Sequence, residues 1–315
     1  MPPMPGDPIA IRTVDVRVDY EDLTAVDDLS LEIAAGEVFG LIGPNGAGKT
    51  STIRVLAGLQ QPTYGEVFIG GIDVAERPAD VHRVLGYMPD LSPVYDDLKC
   101  WELLDLFAAA HNIDDRPARI DACLKLVGLE GKRYAMAGKL SRGMTQRLVL
   151  AKTLLHKPRV MLLDEPASGL DPLARIELRN LLRGLSAEGV TILISSHILT
   201  ELSGFCTSIG IMEKGRLVES GRIEDIRGRV APHKRLIVQP LGDPAPVAAW
   251  LVERERVERV DPLDGHLVVE FTGRDEDAAA LLAAAVAAGH PLKGFYERHM
   301  DVEDIVMKIG AKEVS

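Results

Sequence analysis

Glycine, lysine and a hydroxyl follow one another at a chemically informative spacing in Gly43-Pro44-Asn45-Gly46-Ala47-Gly48-Lys49-Thr50, which fits G-x-x-x-x-G-K-[ST] at every constrained position. Glycines let successive backbone N–H groups turn toward one anion, because no Cβ blocks the curl. The helix that follows the loop adds its positive end to the same point. Lys49 then reaches for the β- and γ-phosphates of a nucleoside triphosphate, and the Thr50 hydroxyl can ligate Mg2+. A second run, Arg159 to Pro166, ends four apolar residues on Asp164 and Glu165. Asp164 would join the Mg2+ shell, through water, and Glu165 would polarise the attacking water as a general base. In a third run, Thr191 to His197, an apolar strand ends in polar groups, and His197 would meet a phosphate.

The elements around these residues must bring them to one edge. Glu37 to Ile42 before the loop reads as a buried strand, and Ser51 to Ala57 after it as a helix. The strands ending at Asp164 and Ser196 deliver their side chains to the carboxyl edge of an α/β sheet, where ligands sit. Ahead of them, Ile9 to Tyr20 and Asp28 to Ile33 alternate as strands; Tyr20 would stack on an adenine ring or serve only as an edge tyrosine. Gly65 to Gly71 reads as a strand and turn, and Val84 to Met88 as a short strand leading to Asp90. From Asp96 the pattern turns helical, with Cys100, Leu103, Leu104, Phe107 and Ala110 on one face, and continues through Arg116–Gly128 to Ala137. Ser141 would cap the helix beginning near it.

Bulk properties exclude several classes. The 315 residues suffice for two unequal domains, and 46% hydrophobic with 26% charged residues describes a globular chain. A net charge of −11 argues against nucleic acid as a partner and against a polybasic membrane patch. The longest small-apolar run, Ala278 to Ala288, is too short to span a bilayer, and the amino terminus lacks the pattern of a signal peptide. Cys100, Cys123 and Cys206 lie far apart, which suits buried thiols in a reducing cytoplasm.

Taken together, these motifs resemble an ATP-binding cassette (ABC) ATPase, the nucleotide-binding subunit of an ABC transporter, over about residues 9 to 228. The resemblance implies a P-loop NTPase cassette of class α/β with an inserted helical subdomain at about 91–145, and ATP with Mg2+ as cofactors. It makes Tyr20 the adenine-stacking aromatic, Leu140-Ser141-Arg142-Gly143-Met144 the Leu-Ser-Gly-Gly-Gln signature, Ser168-Gly169-Leu170-Asp171 the loop that communicates across a dimer, and His197 the switch histidine. Two cassettes pair head to tail in this family, so Ser141 and Gly143 of one copy would meet ATP held by Lys49 of the other. Two motifs depart from the pattern. Asp90 stands where a magnesium-contacting glutamine is usual; a shorter, anionic carboxylate would bind the metal more tightly or fail to reach it. Arg142 and Met144 alter the signature; facing inward, Arg142 would strengthen the sandwich, and in solvent it would do nothing.

A separate integral membrane permease is the implied second partner, docking at about Leu91 to Trp101, where Val94, Tyr95 and Trp101 offer anchors or else pack inside the subdomain. The expected location is therefore cytoplasmic, peripheral at the inner membrane face. Residues 1–8 read as a flexible end and 9–229 as the ATPase domain. Ala231-Pro232-His233 marks a linker into a small 230–315 domain whose order β-α-β-β-α-β is ferredoxin-like, followed by a helix from Asp301 to Ile309. Dimer support or regulation would suit that domain. It resembles the extensions of cassettes that drive export (the ABC-2 type). The alternative is an ABC ATPase acting in assembly, on ribosomes or on chromosomes; a single phosphate loop, and fewer than a hundred residues between Gly48 and Ser141 without sustained heptads, disfavour the last two.

Overall fold

A computed structural model describes residues 9–90, 94–198, 205–230 and 233–298. The chain divides into two compact units, Met1–Ile223 and Glu224–Ser315.

The first unit begins with β1 (Ile9–Tyr20) and β2 (Leu23–Ala34), then β3 (Val38–Ile42) and α1 (Lys49–Leu56). It continues with β4 (Tyr64–Ile69), β5 (Ile72–Asp73), α2 (Pro78–Val84), β6 (Leu85–Met88), α3 (Cys100–Ala110), α4 (Arg116–Leu126) and α5 (Arg142–Leu154). Last come β7 (Val160–Asp164), α6 (Pro172–Ala187), β8 (Thr191–Ser196), β9 (Ser208–Glu213) and β10 (Arg216–Arg222); α7 (Ile223–Val230) begins at the division and belongs to the second unit from Glu224 on. Strands of the first sheet lie in the order β2-β1-β4-β5 and those of the second in the order β10-β9-β3-β8-β7-β6. In the second sheet every pair is parallel except β9 with β10. Every residue of β3, β7 and β8 is buried, as expected of parallel strands covered on both faces. Ile11, Leu29, Ile33, Phe39, Ile53 and Leu162 share one core between the two sheets and α1.

The second strand is longer than its alternation suggests. It starts at Leu23, and Asp28, at φ 55, breaks the period in its middle. The helix expected to run on from Arg116–Gly128 to Ala137 does not: Gly128 at φ 66 ends it, and short 3-10 turns at Glu130–Lys132 and Ala137–Lys139 follow. Cys100, Leu103 and Leu104 are buried on α3 and Ile120, Cys123 and Leu124 on α4, and all three cysteines are free and buried.

The second unit holds β11 (Lys234–Pro240), α8 (Ala245–Val252), β12 (Val257–Leu263), β13 (His266–Phe271), α9 (Asp275–Ala287) and β14 (Leu292–Glu297). Its antiparallel sheet has the order β12-β13-β11-β14. Leu236, Val238, Leu251, Val269 and Phe271 form its core. The turn expected over Pro262–Gly265 is tighter: β12 runs through Pro262, and Asp264 and Gly265, at φ 45 and 77, make the hairpin. Proline is tolerated there because β12 is an edge strand. The Asp301–Ile309 helix and the Ala231-Pro232 linker residues lie outside the described residues.

Candidate nucleotide-binding and hydrolysis site

Parallel register sets the site. Ile42 lies opposite Ser196, and Asp164 opposite Ser195, so the ends of β3, β7 and β8 stand side by side. The loop 43–48, Glu165 and His197 each follow directly from one of these ends. Between them opens a cleft of about 620 Å3, a usual size for a small-molecule site. Tyr20, Asn45 through Ser51, Asp90, Glu165 and His197 all line it.

The loop is shaped by close backbone approaches. A Cβ at Gly43 would stand 2.3 Å from the Met212 carbonyl oxygen, and one at Gly48 2.3 Å from that of Ala25; Gly48 also has φ 102, a conformation that favours glycine. Gly43 and Pro44 form the back of the loop rather than the cleft wall: their carbonyls accept hydrogen bonds from Lys49 Nζ at 2.7 and 3.2 Å. Lys49 is 6% exposed, and its Nζ stands 3.7 Å from Glu165 Oε1. Burial lowers the pKa of this ammonium, and the nearby Glu165 and Asp164 carboxylates oppose the shift.

Asp164 is 1% exposed, and Ser195 Oγ donates to its Oδ1 at 2.6 Å. The same Ser195 oxygen accepts the Glu165 backbone N–H at 3.0 Å. Glu165 sits at φ 48, an uncommon conformation for a residue with a Cβ, and its side chain reaches back to His197, with Oε2 2.8 Å from Nδ1. Glu165, His197 and Lys49 thus converge on one point. Asp90 faces the same region: burial raises its carboxyl pKa, Asp164 and Glu165 add to the shift, and Arg142 and His197 oppose it.

Tyr20 lines the cleft half-exposed; its hydroxyl donates to Gln60 Oε1 at 2.5 Å and lies 3.4 Å from Ser51 Oγ. Ser141 caps α5, accepting the Met144 N–H at 3.4 Å. Neither it nor Gly143 lines this chain's cleft; Gly143 packs instead toward Leu170 and Ala174. Arg142 is exposed, yet its guanidinium lies directly on Gly169. Of the docking segment, residues 91–93 lie outside the described residues; Tyr95 is 58% exposed, whereas Trp101 is half-buried with its indole nitrogen enclosed.

Thr50 and Asp90 line the cleft, and Asp164 stands behind it with a buried carboxylate. Among the described residues no three His, Cys, Asp or Glu side chains form a cage for a metal. Hydroxyl and carboxylate oxygens such as these suit Mg2+, a hard cation that completes its shell from phosphates and water.

Two features escape the sequence reading. Ser195 ties Asp164 to Glu165, and its only sequence signal is a hydroxyl at the end of an otherwise apolar strand. The turn at Lys214 and Gly215 braces the phosphate loop: Gly215 N–H donates to the Ala47 carbonyl at 3.1 Å, its carbonyl accepts from Asp27 N–H at 2.8 Å, and Lys214 lines the cleft. No local pattern connects residues so far apart in the chain.

The ABC transporter family profile matches residues 26–168. The Nod factor export ATP-binding protein I of Burkholderia orbicola (strain AU 1054) is 33% identical over 316 residues, covering 98% of this chain and 98% of that protein. The bacitracin transport ATP-binding protein BcrA of Bacillus licheniformis is 38% identical over 220 residues, 70% of this chain and 72% of its own length. Among solved structures, an ATP-binding subunit of an ABC transporter superposes with a TM-score of 0.65 at 32% identity, covering 70% of this chain and 92% of that one. With the loop, the acidic strand end and the histidine gathered at one cleft, the chain belongs to the ATP-binding proteins of ABC transporters, as an α/β cassette ATPase.

Proposed function

We propose that this chain is the ATP-hydrolysing motor of an exporter, working as a head-to-tail pair beneath a separate membrane permease. The observation that carries the hydrolytic part is the convergence of Lys49, Glu165 and His197, with Glu165 Oε2 2.8 Å from His197 Nδ1 and Oε1 3.7 Å from Lys49 Nζ. Lys49 and the loop N–H groups bind the phosphates, and Tyr20 offers a ring to the base. Glu165 takes the proton of the attacking water; His197 orients that carboxylate and the γ-phosphate. Thr50, Asp164 and Asp90 would hold Mg2+, which supplies charge neutralisation on the phosphates.

Ser141 and Gly143 stand apart from their own chain's cleft, which supports their use on a partner's nucleotide. Export is favoured by the relative named for Nod factor export, which matches nearly the whole chain; the other is named for bacitracin transport. No described helix is long and apolar enough to cross a membrane; a separate permease is the path this reading gives the cargo. Tyr95, with Val94 beside it, offers the contact to that partner. The second unit supports the dimer or regulates it; the Burkholderia relative's match extends across it.

The test is recovery of tagged Glu165→Gln protein from detergent-solubilised native membranes, with and without ATP. A stoichiometric multi-span membrane protein in the eluate is the expected result. The chain alone, or with ribosomal or assembly factors, would overturn the transport reading while leaving ATP hydrolysis in place.

A further inference from the structure

Tyr20 ends β1 and pairs with Leu23 across a tight hairpin in which Glu21 has φ 46. The backbone leading to it is pinned. Asp19 N–H donates to Thr63 Oγ1 at 2.9 Å, and Thr63 N–H donates to the Arg17 carbonyl at 2.8 Å. Arg17 pairs in turn with Asp19 at 2.9 Å and with Asp27 of β2 at 3.3 Å. The segment after α1 is thereby stitched to the end of β1. That network leaves the tyrosine ring itself unset, since χ1 and χ2 of an exposed aromatic turn freely. The ring is 39% exposed in the cleft wall, and a base stacking on a loose ring would have to bear the cost of ordering it. Gln60 removes that freedom. The Tyr20 hydroxyl donates to Gln60 Oε1 at 2.5 Å, and with its proton committed there it is left to accept from Ser51 Oγ at 3.4 Å. Ser51 stands in the first turn of α1 and lines the cleft, whereas Gln60 lies beyond the end of α1 and does not. Gln60 can therefore reach a nucleotide only through the tyrosine.

We propose that Gln60 is a positioning residue for nucleotide binding: by accepting the Tyr20 hydroxyl it holds the ring in one orientation before the base arrives. The base then meets a prepared face, and the hydroxyl, already spent on the protein, takes no part in reading it. The inference rests on the use of Tyr20 as the platform for the base, proposed above, and adds what sets that platform.

Nucleotide binding and steady-state hydrolysis by the full chain test it. Gln60→Leu, which removes the acceptor at similar volume, should weaken ATP binding and raise KM by about three- to tenfold, with kcat within about twofold. Gln60→Glu keeps an acceptor oxygen and should stay within about twofold of the natural chain. Inorganic triphosphate has no base to stack, so its dissociation constant should be the same for the natural chain and Gln60→Leu within about 1.5-fold; a general loosening of the site would weaken it as well. Tyr20→Phe should lose as much ATP affinity as Gln60→Leu, and the double variant no more than either single change. Natural ATP affinity in Gln60→Leu, a parallel loss of inorganic triphosphate, or additive losses in the double variant would overturn the proposal. Tyr20→Ala separates it from the reading beneath it. Weakened ATP binding in Tyr20→Ala beside natural binding in Gln60→Leu would remove the role of Gln60 alone. Natural binding in Tyr20→Ala would remove the platform, and the role of Gln60 with it.

Discussion

Replacing Ser195 by alanine removes a single oxygen that no solvent reaches, and two groups lose their partner at once. The Asp164 carboxylate, 1% exposed, loses a charge-assisted hydrogen bond of 2.6 Å. The Glu165 N–H loses its acceptor at 3.0 Å. A hydrogen bond to a charged group contributes about 1.5–3 kcal/mol, and a donor left unpaired costs about 1–3 kcal/mol. Since the Glu165 amide is only partly buried, the sum is about 2–4 kcal/mol. For a unit of this size that lowers the thermal midpoint by roughly 5–12 °C. Turnover should suffer more than binding. Glu165 holds φ 48 partly through this contact, and a general base displaced by about 1 Å can lose up to about a hundredfold in rate. We expect kcat to fall at least about tenfold while ATP affinity changes by less than about threefold, because Lys49 and the loop do not touch Ser195. Differential scanning calorimetry and a phosphate-release assay read the two effects. In an Asp164→Asn background the stability cost should fall by about half. A midpoint within about 2 °C of the natural chain, together with unchanged kcat, would refute the bridging role.

Other changes probe other parts of the account. Lys49→Ala empties the centre of the phosphate loop, and the affinity for a fluorescent ATP analogue should fall by about tenfold or more; an unchanged affinity would remove Lys49 from the site. Burial lowers the pKa of His156 to about 4, its stacked neighbour His111 adding to the effect, so the imidazole is neutral in the folded chain. Between pH 6.5 and about 4 the unfolded chain binds a proton that the folded chain refuses, so stability falls as pH falls through that window. Discounted for partial solvent contact, the loss is about 1–2 kcal/mol, and His156→Gln should flatten that part of the stability–pH curve. An identical curve for the variant would contradict it. Phe271→Ala, at a 2% exposed core position, should destabilise the second unit by about 3–5 kcal/mol. ATP affinity should remain within about twofold, since Phe271 belongs to a core without residues from the cleft; a parallel loss of nucleotide binding would contradict that separation.

What the sequence could show depended on how local each signal is. The phosphate loop and the two strands that end at Asp164 and Ser196 are read within a few residues, because full burial of parallel strands leaves unbroken apolar runs. The same holds for the described strands and helices of the second unit, apart from the Pro262 turn and a helix that ends at Val252 rather than Glu255; an edge strand accepts a proline that a central strand would not. Helix α2, with one buried residue, carries little periodicity and is not legible. Strands β9 and β10 and the turn at Lys214–Gly215 reach the site through Met212 beside Gly43, Lys214 in the cleft wall and contacts with Ala47 and Asp27, which no window of sequence joins. Arg142 is legible as a departure, but its direction depends on Gly169, which is brought to it by the packing of α5 against the 168–171 loop.

The central claim is that ATP drives two copies together and that Glu165 then parts them by hydrolysis. Sedimentation velocity of the Glu165→Gln chain with Mg-ATP tests it most directly, beside the natural chain under the same conditions. The 34.2 kDa variant should sediment at twice its mass when ATP is added, and remain there, while the natural chain returns to monomer as phosphate is released. A variant that stays monomeric in saturating ATP, or that releases phosphate at the natural rate, would contradict the account.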